Sequence, residues 1–399
     1  MAAGERHPLE AFLLSGLDKV YTAAALHILV NGQAAWQGAY GQLCPEQGQH
    51  PTRSDSLFDL ASLTKLFTAT ALMRLLEAGK AELDTPGGAI LPAFRGKRTI
   101  GASEDPLRGV MLPAEPGEAG QSVALERIRL RDLLMHTSGL AAWRSVYAVG
   151  GDKEIVLQPH EVATALRQQR MAAVYAYDFA YPPGARVVYS DLGFMLLGEA
   201  VQMLSGLPLA EAIDREVCTP LGLQRTTYNP LRQPWAEGNV AASEVCPWRQ
   251  RRLLGEVDDQ NAASLGGVAG HAGLFSTAQE VARLGQMYLD GGRTACGQVL
   301  QTGNVLEMRR EQVNLGGLRR GLAWVLQTPQ GCSCGSRFSP QSFGHTGFTG
   351  TSLWIDPQRN LVVAALTNRV YFGRDAGQIT QFRPALHDLI IQCLEEGRL

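Results

Sequence analysis

The sequence predicts an α/β protein in which one sheet, flanked by helices, is built from both ends of the chain and a helical domain is inserted between them. Three observations support this class. β-prone segments lie before residue 41 and after residue 320, helical periodicity dominates residues 129–217, and a glycine-dense run at 266–273 separates the two patterns. We place the α/β part at residues 1–83 and 265–399 and the helical insert at residues 84–264.

The first part of the chain is predicted to form a short helix and then a β-hairpin. Residues 12–20 are amphipathic, and two β-prone runs at 21–30 and 34–40 flank Asn31 and Gly32. Asn-Gly is the strongest two-residue hairpin signal, because both residues tolerate the positive φ that a type I′ turn requires.

The rest of the chain is predicted to contain helices first and strands at its end. Helical spacing of apolar residues predicts helices over residues 62–79, 129–136, 159–170, 192–204, 209–217, 277–291 and 384–395. Strands are predicted over residues 321–328, 343–348, 352–355 and 361–367. The stretch 84–121 is rich in Gly and Pro and is predicted to be a surface loop.

Composition excludes several classes of function. The chain has 399 residues, of which 45% are hydrophobic and 19% are charged, as in ordinary globular proteins. Its 36 Lys and Arg against 38 Asp and Glu leave a net charge of −2, which argues against a nucleic-acid partner. No uninterrupted apolar run reaches roughly 18 residues, so we expect no membrane span. An enzyme or a large binding protein remains.

The N-terminus does not resemble a secretion signal. Its apolar run at residues 11–14 is followed closely by Asp18 and Lys19, whereas a signal core needs roughly 7–15 apolar residues. The sequence therefore predicts a cytoplasmic location, or a periplasmic one if a leader has been removed.

The cysteines predict neither a disulfide framework nor a metal centre. They are odd in number and scattered, at Cys44, Cys218, Cys246, Cys296, Cys332, Cys334 and Cys393. Cys332 and Cys334 are the only close pair, and no second Cys or His pair at metal-binding spacing accompanies them. We expect no metal and no cofactor.

Ser62 and Lys65 form the first candidate site. On a helix over residues 62–79 they lie one turn apart on the same face. A serine hydroxyl needs a base within hydrogen-bond reach to become a nucleophile, and a desolvated lysine can be that base. The N–H of Ser62 lies in the first turn, where it can bind a developing oxyanion. The structural alternative is a helix cap and a solvated lysine.

Tyr189 belongs to a second candidate segment, Tyr189-Ser190-Asp191, which precedes the helix predicted at 192–204. Ser190 or Asp191 can cap that helix. At the end of a rigid loop, the Tyr189 phenol can also relay a proton to a leaving group.

His345-Thr346-Gly347 is the third candidate segment, on the strand predicted over 343–348. A glycine on a strand allows a ligand to approach the backbone closely. A single histidine on a strand more often has a structural role than a catalytic one.

Taken together, these segments resemble the class C-like branch of the serine β-lactamase and penicillin-binding protein superfamily. The resemblance spans roughly residues 20–395 and is carried, in family order, by Phe-Asp-Leu-Ala-Ser-Leu-Thr-Lys at 58–65, Leu-Leu-Met-His-Thr-Ser-Gly-Leu at 133–140, Tyr-Pro-Pro-Gly at 181–184 with Tyr-Ser-Asp at 189–191, the glycine-rich run at 265–277, and Gly-His-Thr-Gly-Phe-Thr-Gly at 344–350. It implies the β-lactamase/transpeptidase-like fold, an antiparallel sheet flanked by helices with an inserted helical domain.

The resemblance also implies an acyl-enzyme mechanism. Ser62 would attack a carbonyl, Lys65 and Tyr189 would share the roles of base and proton relay, and Tyr189 would activate the deacylating water. The N–H groups of Ser62 and Phe348 would hold the oxyanion, and the substrate would contact Asp191, His345, Thr346 and Gly347.

Two departures from the branch's β-lactamases bear on the substrate. Asp191 stands where they have Asn, and His345 stands where they have Lys. A histidine with the ordinary pKa of about 6.5 is mostly neutral at pH 7, donates a neutral hydrogen bond and offers little charge to a carboxylate. The sequence therefore favours small esters or amides with weak β-lactam hydrolysis. It also predicts that lowering the pH from 8 to 6 helps carboxylate-bearing substrates.

Two alternatives remain open. One is a peptidase acting on D-amino-acid peptides, such as a DD-carboxypeptidase, and the other is a catalytically idle penicillin-binding-like protein. In each case the expected partner is a small acyl compound and not nucleic acid. The natural substrate, the oligomeric state and any chemical role of His271 and Asp258 are left open, although we expect His271 to fix a loop.

Overall fold

The computed structural model describes residues 6–48, 50–105, 108–151 and 154–399, and its centre is an eight-stranded antiparallel sheet. The strands are β1 (Ala23–Val30), β2 (Gln33–Gly41), β3 (Val313–Leu315), β4 (Leu318–Arg320), β5 (Val325–Leu326), β6 (Phe343–Thr346), β7 (Ser352–Asp356) and β8 (Leu361–Thr367). Their order across the sheet is β3-β4-β5-β6-β7-β8-β1-β2, so the two ends of the chain join where β8 pairs with β1. The predicted sheet built from both ends of the chain is confirmed.

The N-terminal hairpin is confirmed, but the helix before it lies earlier than predicted. Asn31 and Gly32 have φ of 52° and 74°, which is the turn geometry that the Asn-Gly pair favours. The helix expected at 12–20 spans Pro8–Ser15. Pro8 fits the first helical turn, where its missing N–H costs nothing, and the chain turns away after Gly16.

The end of the sheet near β3 differs most from the prediction. The strand expected over 321–328 is reduced to β5, because Ala323 adopts a positive φ of 66° that interrupts an extended chain. Strands β3 and β4 were not predicted. They form a hairpin around Gly316 and Gly317, whose φ angles of 61° and 79° are those that a two-residue turn needs.

Twelve helices are described. They are α1 (Pro8–Ser15), α2 (Thr64–Glu77), α3 (Gly87–Ile90), α4 (Leu130–Leu134), α5 (His160–Ala176), α6 (Asp191–Ser205), α7 (Leu209–Ile213), α8 (Thr219–Leu221), α9 (Gln260–Ser264), α10 (Ala278–Leu289), α11 (Thr302–Arg309) and α12 (Gly377–Glu395). Short strands outside the central sheet are Phe58–Asp59, Lys97–Thr99, Ser103–Glu104, Met111–Leu112, Ser122–Ala124, Thr227–Tyr228, Val245–Cys246, Arg251–Arg252, Leu274–Ser276, Arg293–Thr294 and Gly297–Gln298. The stretch 84–121 is therefore not purely loop, because α3 and three of these strands lie within it.

Helices cover both faces of the sheet. α10 packs on one face, across β1, β7 and β8, and α1 and α12 pack on the other. Gly285 lets α10 approach closely, since a Cβ there would lie 2.6 Å from a methyl carbon of Val362. Burial of apolar side chains on both faces holds the strands that carry the third candidate segment.

The helix that follows Ser62 lies in the centre of the molecule. α2 is buried along most of its length and packs against α6, which follows the Tyr189 segment. This packing brings the first two candidate segments together. The division into residues 1–83 with 265–399 and residues 84–264 remains our proposal.

Within the described ranges no single helix is long and apolar enough to cross a membrane. Two segments, Asp191–Ser205 and Leu209–Leu221, meet the length and composition of a span only when joined, with a bend of 78° between them.

Candidate active site

Ser62 lies in a tight helical turn, Ala61–Leu63, that leads directly into α2. Ala61 has a φ of 46°, an uncommon conformation for a residue with a side chain. Its N–H donates to the buried Asp59 carboxylate at 2.8 Å, which helps to hold this turn. The predicted one-turn spacing is confirmed, since Lys65 Nζ donates to Ser62 Oγ at 3.0 Å.

Lys65 is buried and paired, so the structural alternative of a solvated lysine is wrong. Its side chain is 1% exposed and its ammonium lies 2.7 Å from Asp191 Oδ1. It also donates to the main-chain oxygen of His271 at 2.9 Å. Burial by itself lowers the pKa of Lys65, but the Asp191 carboxylate and then the charge of Tyr189 in its ionised form outweigh it, and the net pKa is raised. Lys65 is therefore a cation at neutral pH.

Tyr189 is placed beside Lys65 by the start of α6. Ser190 caps this helix and accepts from the N–H of Gly193 at 3.2 Å, which confirms the prediction that Ser190 or Asp191 is the cap. The ring centre of Tyr189 lies 4.8 Å from Lys65 Nζ. Burial raises the pKa of the Tyr189 phenol, and the Lys65 charge opposes this shift only in part. Tyr189 is therefore protonated at neutral pH.

His136 supports the Tyr189 segment, a role that sequence reasoning missed. Its Nδ1 accepts from the N–H of Ser190 at 3.0 Å, and its ring packs against Tyr189 at 4.6 Å between centres. Burial lowers its pKa well below the ordinary value, so it stays neutral and can keep accepting. The sequence predicted only that His136 closes the helix over 129–136 and belongs to the family string at 133–140, because a contact across 54 residues leaves no local signal.

His345 lies on β6 and faces the same region. Its Nδ1 donates to the main-chain oxygen of Thr346 at 2.9 Å, so Nε2 is left as an acceptor. This corrects the expectation that His345 donates to the substrate. Burial, followed by the positive charges of Arg320 and Lys65, lowers the pKa of His345 to about 3. Its charge therefore does not change between pH 8 and pH 6, and the predicted pH effect on carboxylate substrates is not expected from this residue.

Gly347 brings the end of β6 against the nucleophile turn. A Cβ at this position would lie 2.5 Å from the main-chain oxygen of Leu60 and closer still to Thr351 Oγ1. Only glycine allows this approach, which places the next residue, Phe348, in the wall of the same cavity as Ser62.

A cavity of about 360 Å³ collects most of the candidate residues. It is lined by Ser62, Tyr189, Arg320, Val325, His345, Thr346, Gly347, Phe348, Arg369, Ala376, Ile379, Thr380 and Arg383. Lys65 and Asp191 lie next to it through their contacts with Ser62 and with each other. All eight residues predicted to form the site are thus brought together. We call Ser62, Lys65, Tyr189 and Asp191 the proton cluster.

Three arginines in the cavity wall were not predicted. We call Arg320, Arg369 and Arg383 the arginine wall. None of them forms an ion pair within 4 Å among the residues that the structure describes. Arg383 lies one residue before the helix that the sequence predicted over 384–395. Arg320 ends β4, a strand that was missed.

Two of these guanidinium groups carry unused donors. Arg320 Nη1 and Arg383 Nε are buried, and neither has a hydrogen-bond partner in the described part of the chain. Burial lowers the pKa of both groups, with help from Arg369 in the case of Arg383, whose pKa falls to about 10. Other atoms of the wall do have partners: Arg383 Nη2 donates to the main-chain oxygens of Gly347 and Thr351 at 3.4 and 3.3 Å, and Arg369 Nε donates to that of Phe348 at 2.7 Å. The cavity that contains Ser62 is therefore lined by guanidinium groups, two of which keep a buried donor without a partner in the described chain.

His271 and Asp258 lie outside the cavity lining and contact residues that flank Ser62 in the chain, namely Lys65 and Asp59. His271 Nε2 lies 2.9 Å from Asp259 Oδ1, a contact that agrees with the expected role of His271 in fixing a loop. The main-chain oxygen of His271 also accepts from Lys65, so this loop helps to position the lysine, which was not predicted. The N–H of Asp258 donates to Asp59 at 2.6 Å. Burial and the neighbouring Asp258 carboxyl raise the pKa of Asp59 to about 7.

Comparison with known proteins agrees with this geometry. The sequence model of the Beta-lactamase family matches residues 13–385, so the chain belongs to that family. The chain is 27% identical over 387 residues to a protein of Salmonella schwarzengrund named "Putative D-alanyl-D-alanine carboxypeptidase", which covers 91% of this chain and 82% of the relative.

Solved structures show the same fold. EstCE1, "a hydrolase with promiscuous acyltransferase activity", aligns with a TM-score of 0.67 and 20% identity over 94% of this chain and 97% of its own. A simvastatin synthase (LovD) variant from Aspergillus terreus aligns with a TM-score of 0.68 and 18% identity over 97% of this chain and 95% of its own. Family and fold together define a β-lactamase-type serine hydrolase.

Proposed function

We propose that this serine hydrolase cleaves acyl compounds that carry a carboxylate beside the scissile bond, through an acyl-enzyme on Ser62. The observation that carries the substrate class is the arginine wall. A buried guanidinium with unpaired donors is costly, and a carboxylate is the ligand that satisfies it with strong, charge-assisted hydrogen bonds. Arg320 Nη1 and Arg383 Nε are two such donors in one cavity wall with Ser62.

The name of the Salmonella relative supports a particular member of this class. A D-alanyl-D-alanine carboxypeptidase releases the terminal residue of a peptide, so its substrate carries a carboxylate one residue beyond the scissile amide. The preferred substrate of this chain would then be a peptide ending in D-Ala-D-Ala. Its terminal carboxylate would bind Arg320 and Arg383 while its penultimate carbonyl lies against Ser62.

Acylation needs one proton to leave the proton cluster first. At neutral pH Lys65 is an ammonium paired with Asp191, and Tyr189 is a phenol. When the cluster loses one proton, Lys65 or Tyr189 can accept the proton of Ser62 Oγ as it attacks the carbonyl. Tyr189 then donates a proton to the leaving group. Activity should accordingly rise with pH.

The oxyanion would be stabilised by two main-chain N–H groups. Those of Ser62 and Phe348 belong to residues on the same cavity wall, brought together by the contact between Gly347 and Leu60. One such donor is worth roughly 10²–10³-fold in rate. Water activated by Tyr189 would then hydrolyse the acyl-enzyme, and the proton cluster would return to its starting state.

Small neutral esters or amides, with weak β-lactam hydrolysis, are the second candidate, and His345 favours them. It replaces a strand lysine by a group that stays neutral, with a pKa of about 3 and an acceptor nitrogen. An acceptor at this position suits a substrate N–H or O–H and gives no attraction to a carboxylate. The two candidates differ in whether the arginine wall or His345 decides specificity.

A matched pair of substrates separates them. We would measure kcat/KM for an acyl-D-Ala-D-Ala peptide and for the same peptide with a terminal amide, in wild type, Arg320→Met and Arg383→Met. Hydrogen bonds to charged groups contribute about 1.5–3 kcal/mol, so the wild type should prefer the acid by roughly 10–150-fold, and each Met variant should lose most of that preference.

Arg53→Met is the matched control. Arg53 is exposed, pairs only with Asp55 among the described residues, and lies outside the cavity, so its loss should leave the preference unchanged. If wild type hydrolyses acid and amide equally well, or if a neutral ester is preferred in every variant, the carboxylate proposal is rejected in favour of the second candidate.

A further inference from the structure

Cys332 and Cys334 are brought together in the long connection between β5 and β6, outside the residues that line the catalytic cavity. Their Sγ atoms lie 2.7 Å apart. A disulfide bond measures about 2.03–2.05 Å, so closing the bond would need a movement of only about 0.7 Å. Both side chains are largely buried, with 9% of Cys332 and none of Cys334 exposed.

The backbone between the two cysteines and just after them is fixed to α12. The main-chain oxygen of Ser333 lies 3.0 Å from His387 Nδ1. The N–H groups of Ser336 and Arg337 both donate to Asp388 Oδ1, at 2.7 and 2.9 Å. Because these contacts order the loop before any bond forms, less chain entropy opposes closure than in a free Cys-x-Cys peptide.

The two thiols are not equivalent. The two thiols contact each other and either can be the donor, whereas the N–H of Cys334 donates to the Cys332 sulfur at 3.5 Å. These contacts lower the pKa of Cys332 to about 7, against the effect of burial. The same thiol–thiol hydrogen bond, followed by burial, raises the pKa of Cys334. Cys332 is thus the more acidic thiol and the less completely buried one, at 9% exposed against 0% for Cys334.

We propose that Cys332 and Cys334 form a reversible dithiol–disulfide site that reacts with small-molecule disulfides of the glutathione type. A metal is the other ligand that two thiolates can take. In the described ranges, however, no group of three or more His, Cys, Asp and Glu side chains is arranged to hold one. This proposal does not depend on the substrate class of the hydrolase.

The exchange proceeds in two balanced steps. The Cys332 thiolate attacks one sulfur of glutathione disulfide, whose S–S bond breaks, and one glutathione thiolate leaves. Cys334 then gives up its proton to solvent and its sulfur attacks Cys332, which forms the intramolecular bond and releases the second glutathione. Two protein thiols are oxidised, and one glutathione disulfide is reduced to two glutathione molecules.

The experiment is a redox titration of the full chain. Reduced protein is equilibrated in buffers of increasing glutathione disulfide to glutathione ratio, both folded and in urea, and is then quenched with acid and alkylated. Trypsin releases residues 321–337, which contain both cysteines, and mass spectrometry counts alkyl groups, glutathione adducts and the loss of two hydrogens. We expect the folded chain to form the disulfide with an equilibrium constant at least about tenfold larger than in urea, which is about 30 mV.

Single variants identify which thiol attacks. Cys334→Ser should accumulate a glutathione adduct on Cys332, whereas Cys332→Ser should leave the fully buried Cys334 unmodified. Cys218, which is buried and has no cysteine near it in the sequence, serves as an internal control that stays reduced. The proposal is overturned if the folded wild type keeps both thiols free at ratios that oxidise the unfolded chain. It is also overturned if a stable glutathione adduct forms without the internal disulfide.

Discussion

The proton cluster and the arginine wall lie in one cavity but balance their charges in opposite ways. In the proton cluster, Lys65 Nζ lies 2.7 Å from the Asp191 carboxylate and 3.0 Å from the Ser62 hydroxyl. In the arginine wall, Arg320 and Arg383 retain buried donors with no partner in the described chain. Charge is thus neutralised where protons must move and left uncompensated where a substrate anion can bind. Chemistry and specificity should therefore respond to different substitutions.

The largest expected effect is that of Ser62→Ala, which should remove turnover and leave the arginine wall intact. Loss of a nucleophile of this kind lowers kcat by roughly 10⁴-fold or more, because the remaining groups only bind and polarise the substrate. Steady-state hydrolysis and labelling by a fluorophosphonate probe measure the loss. The dissociation constant of a carboxylate-bearing inhibitor should rise by no more than about 2–13-fold in the variant, since Ser62 adds only one neutral hydrogen bond. Unchanged labelling in the variant would mean that another residue is the nucleophile.

The next largest effect concerns Lys65 and Tyr189 as one proton-handling unit. Lys65→Ala and Tyr189→Phe should each lower kcat by roughly 10²–10⁴-fold, the range of general acid–base catalysis. Because the two groups exchange the same proton, the double variant should lose much less than the product of the two single losses. Strictly multiplicative losses in single-turnover rates would show independent roles. The acid-to-amide preference should survive in all three variants, since the arginine wall is unchanged.

The two regions also differ in how far the sequence could predict them. Ser62, Lys65, Tyr189 and Asp191 come from short segments in which spacing and residue type carry the chemistry. The sequence could not show that Asp191 would pair with Lys65, because that contact joins two helices far apart in the chain. The sequence also could not show that the packing of α2 on α6 buries Lys65. Burial and the Asp191 carboxylate together decide the protonation state of Lys65.

The arginine wall was not predictable for a related reason. Arg320, Arg369 and Arg383 come from β4, the turn after β8 and the first half of α12, and no local pattern distinguishes them from surface arginines. The Gly316-Gly317 pair did contain a hairpin signal that would have placed Arg320 on a strand. The main sheet was predictable because the β-prone runs near both ends of the chain, the helical periodicity between them and Asn31-Gly32 all agreed, whereas 321–328 failed at Ala323, whose positive φ has no sequence signal.

The third prediction uses Asp191→Asn to shift the pH dependence of the proton cluster. The Asp191 carboxylate raises the pKa of Lys65, so its removal should lower that pKa and supply the base at lower pH. An opposite charge at this distance typically shifts a pKa by about 1–3 units, and the acid limb of kcat/KM should move toward lower pH by a similar amount. A pH–rate profile measures this shift.

Asp290→Asn is the control for that profile. Asp290 is exposed and accepts only from Gln286 in the described structure, so its profile should match the wild type. An Asp191→Asn profile that coincides with the wild type would show that Asp191 does not set the protonation of Lys65. The acid-to-amide preference should change little, because Asp191 faces Lys65 and the carboxylate faces the arginine wall.

The smallest expected effect concerns His345→Lys, and it tests whether the strand or the arginine wall supplies charge to the substrate. A new ammonium on β6 would add a charge-assisted hydrogen bond to a carboxylate, but Arg320 and Lys65 already place positive charge beside this position. In the wild-type background we therefore expect the acid-to-amide preference to rise by less than about fivefold, which is 1 kcal/mol. In the Arg320→Met background the same substitution should restore roughly 5–30-fold of the lost preference, because the ammonium then replaces the cation that Arg320 supplied. The acid-to-amide preference of the wild type should stay flat between pH 8 and pH 6, since His345, with a pKa of about 3, is neutral throughout that range.

Competition between acid and amide substrates in one reaction measures the acid-to-amide preference of each variant without interference from the pH response of the proton cluster. A large gain in the wild-type background, or a wild-type ratio that rises as the pH falls, would assign the carboxylate contact to β6 and leave the arginine wall without a role in specificity.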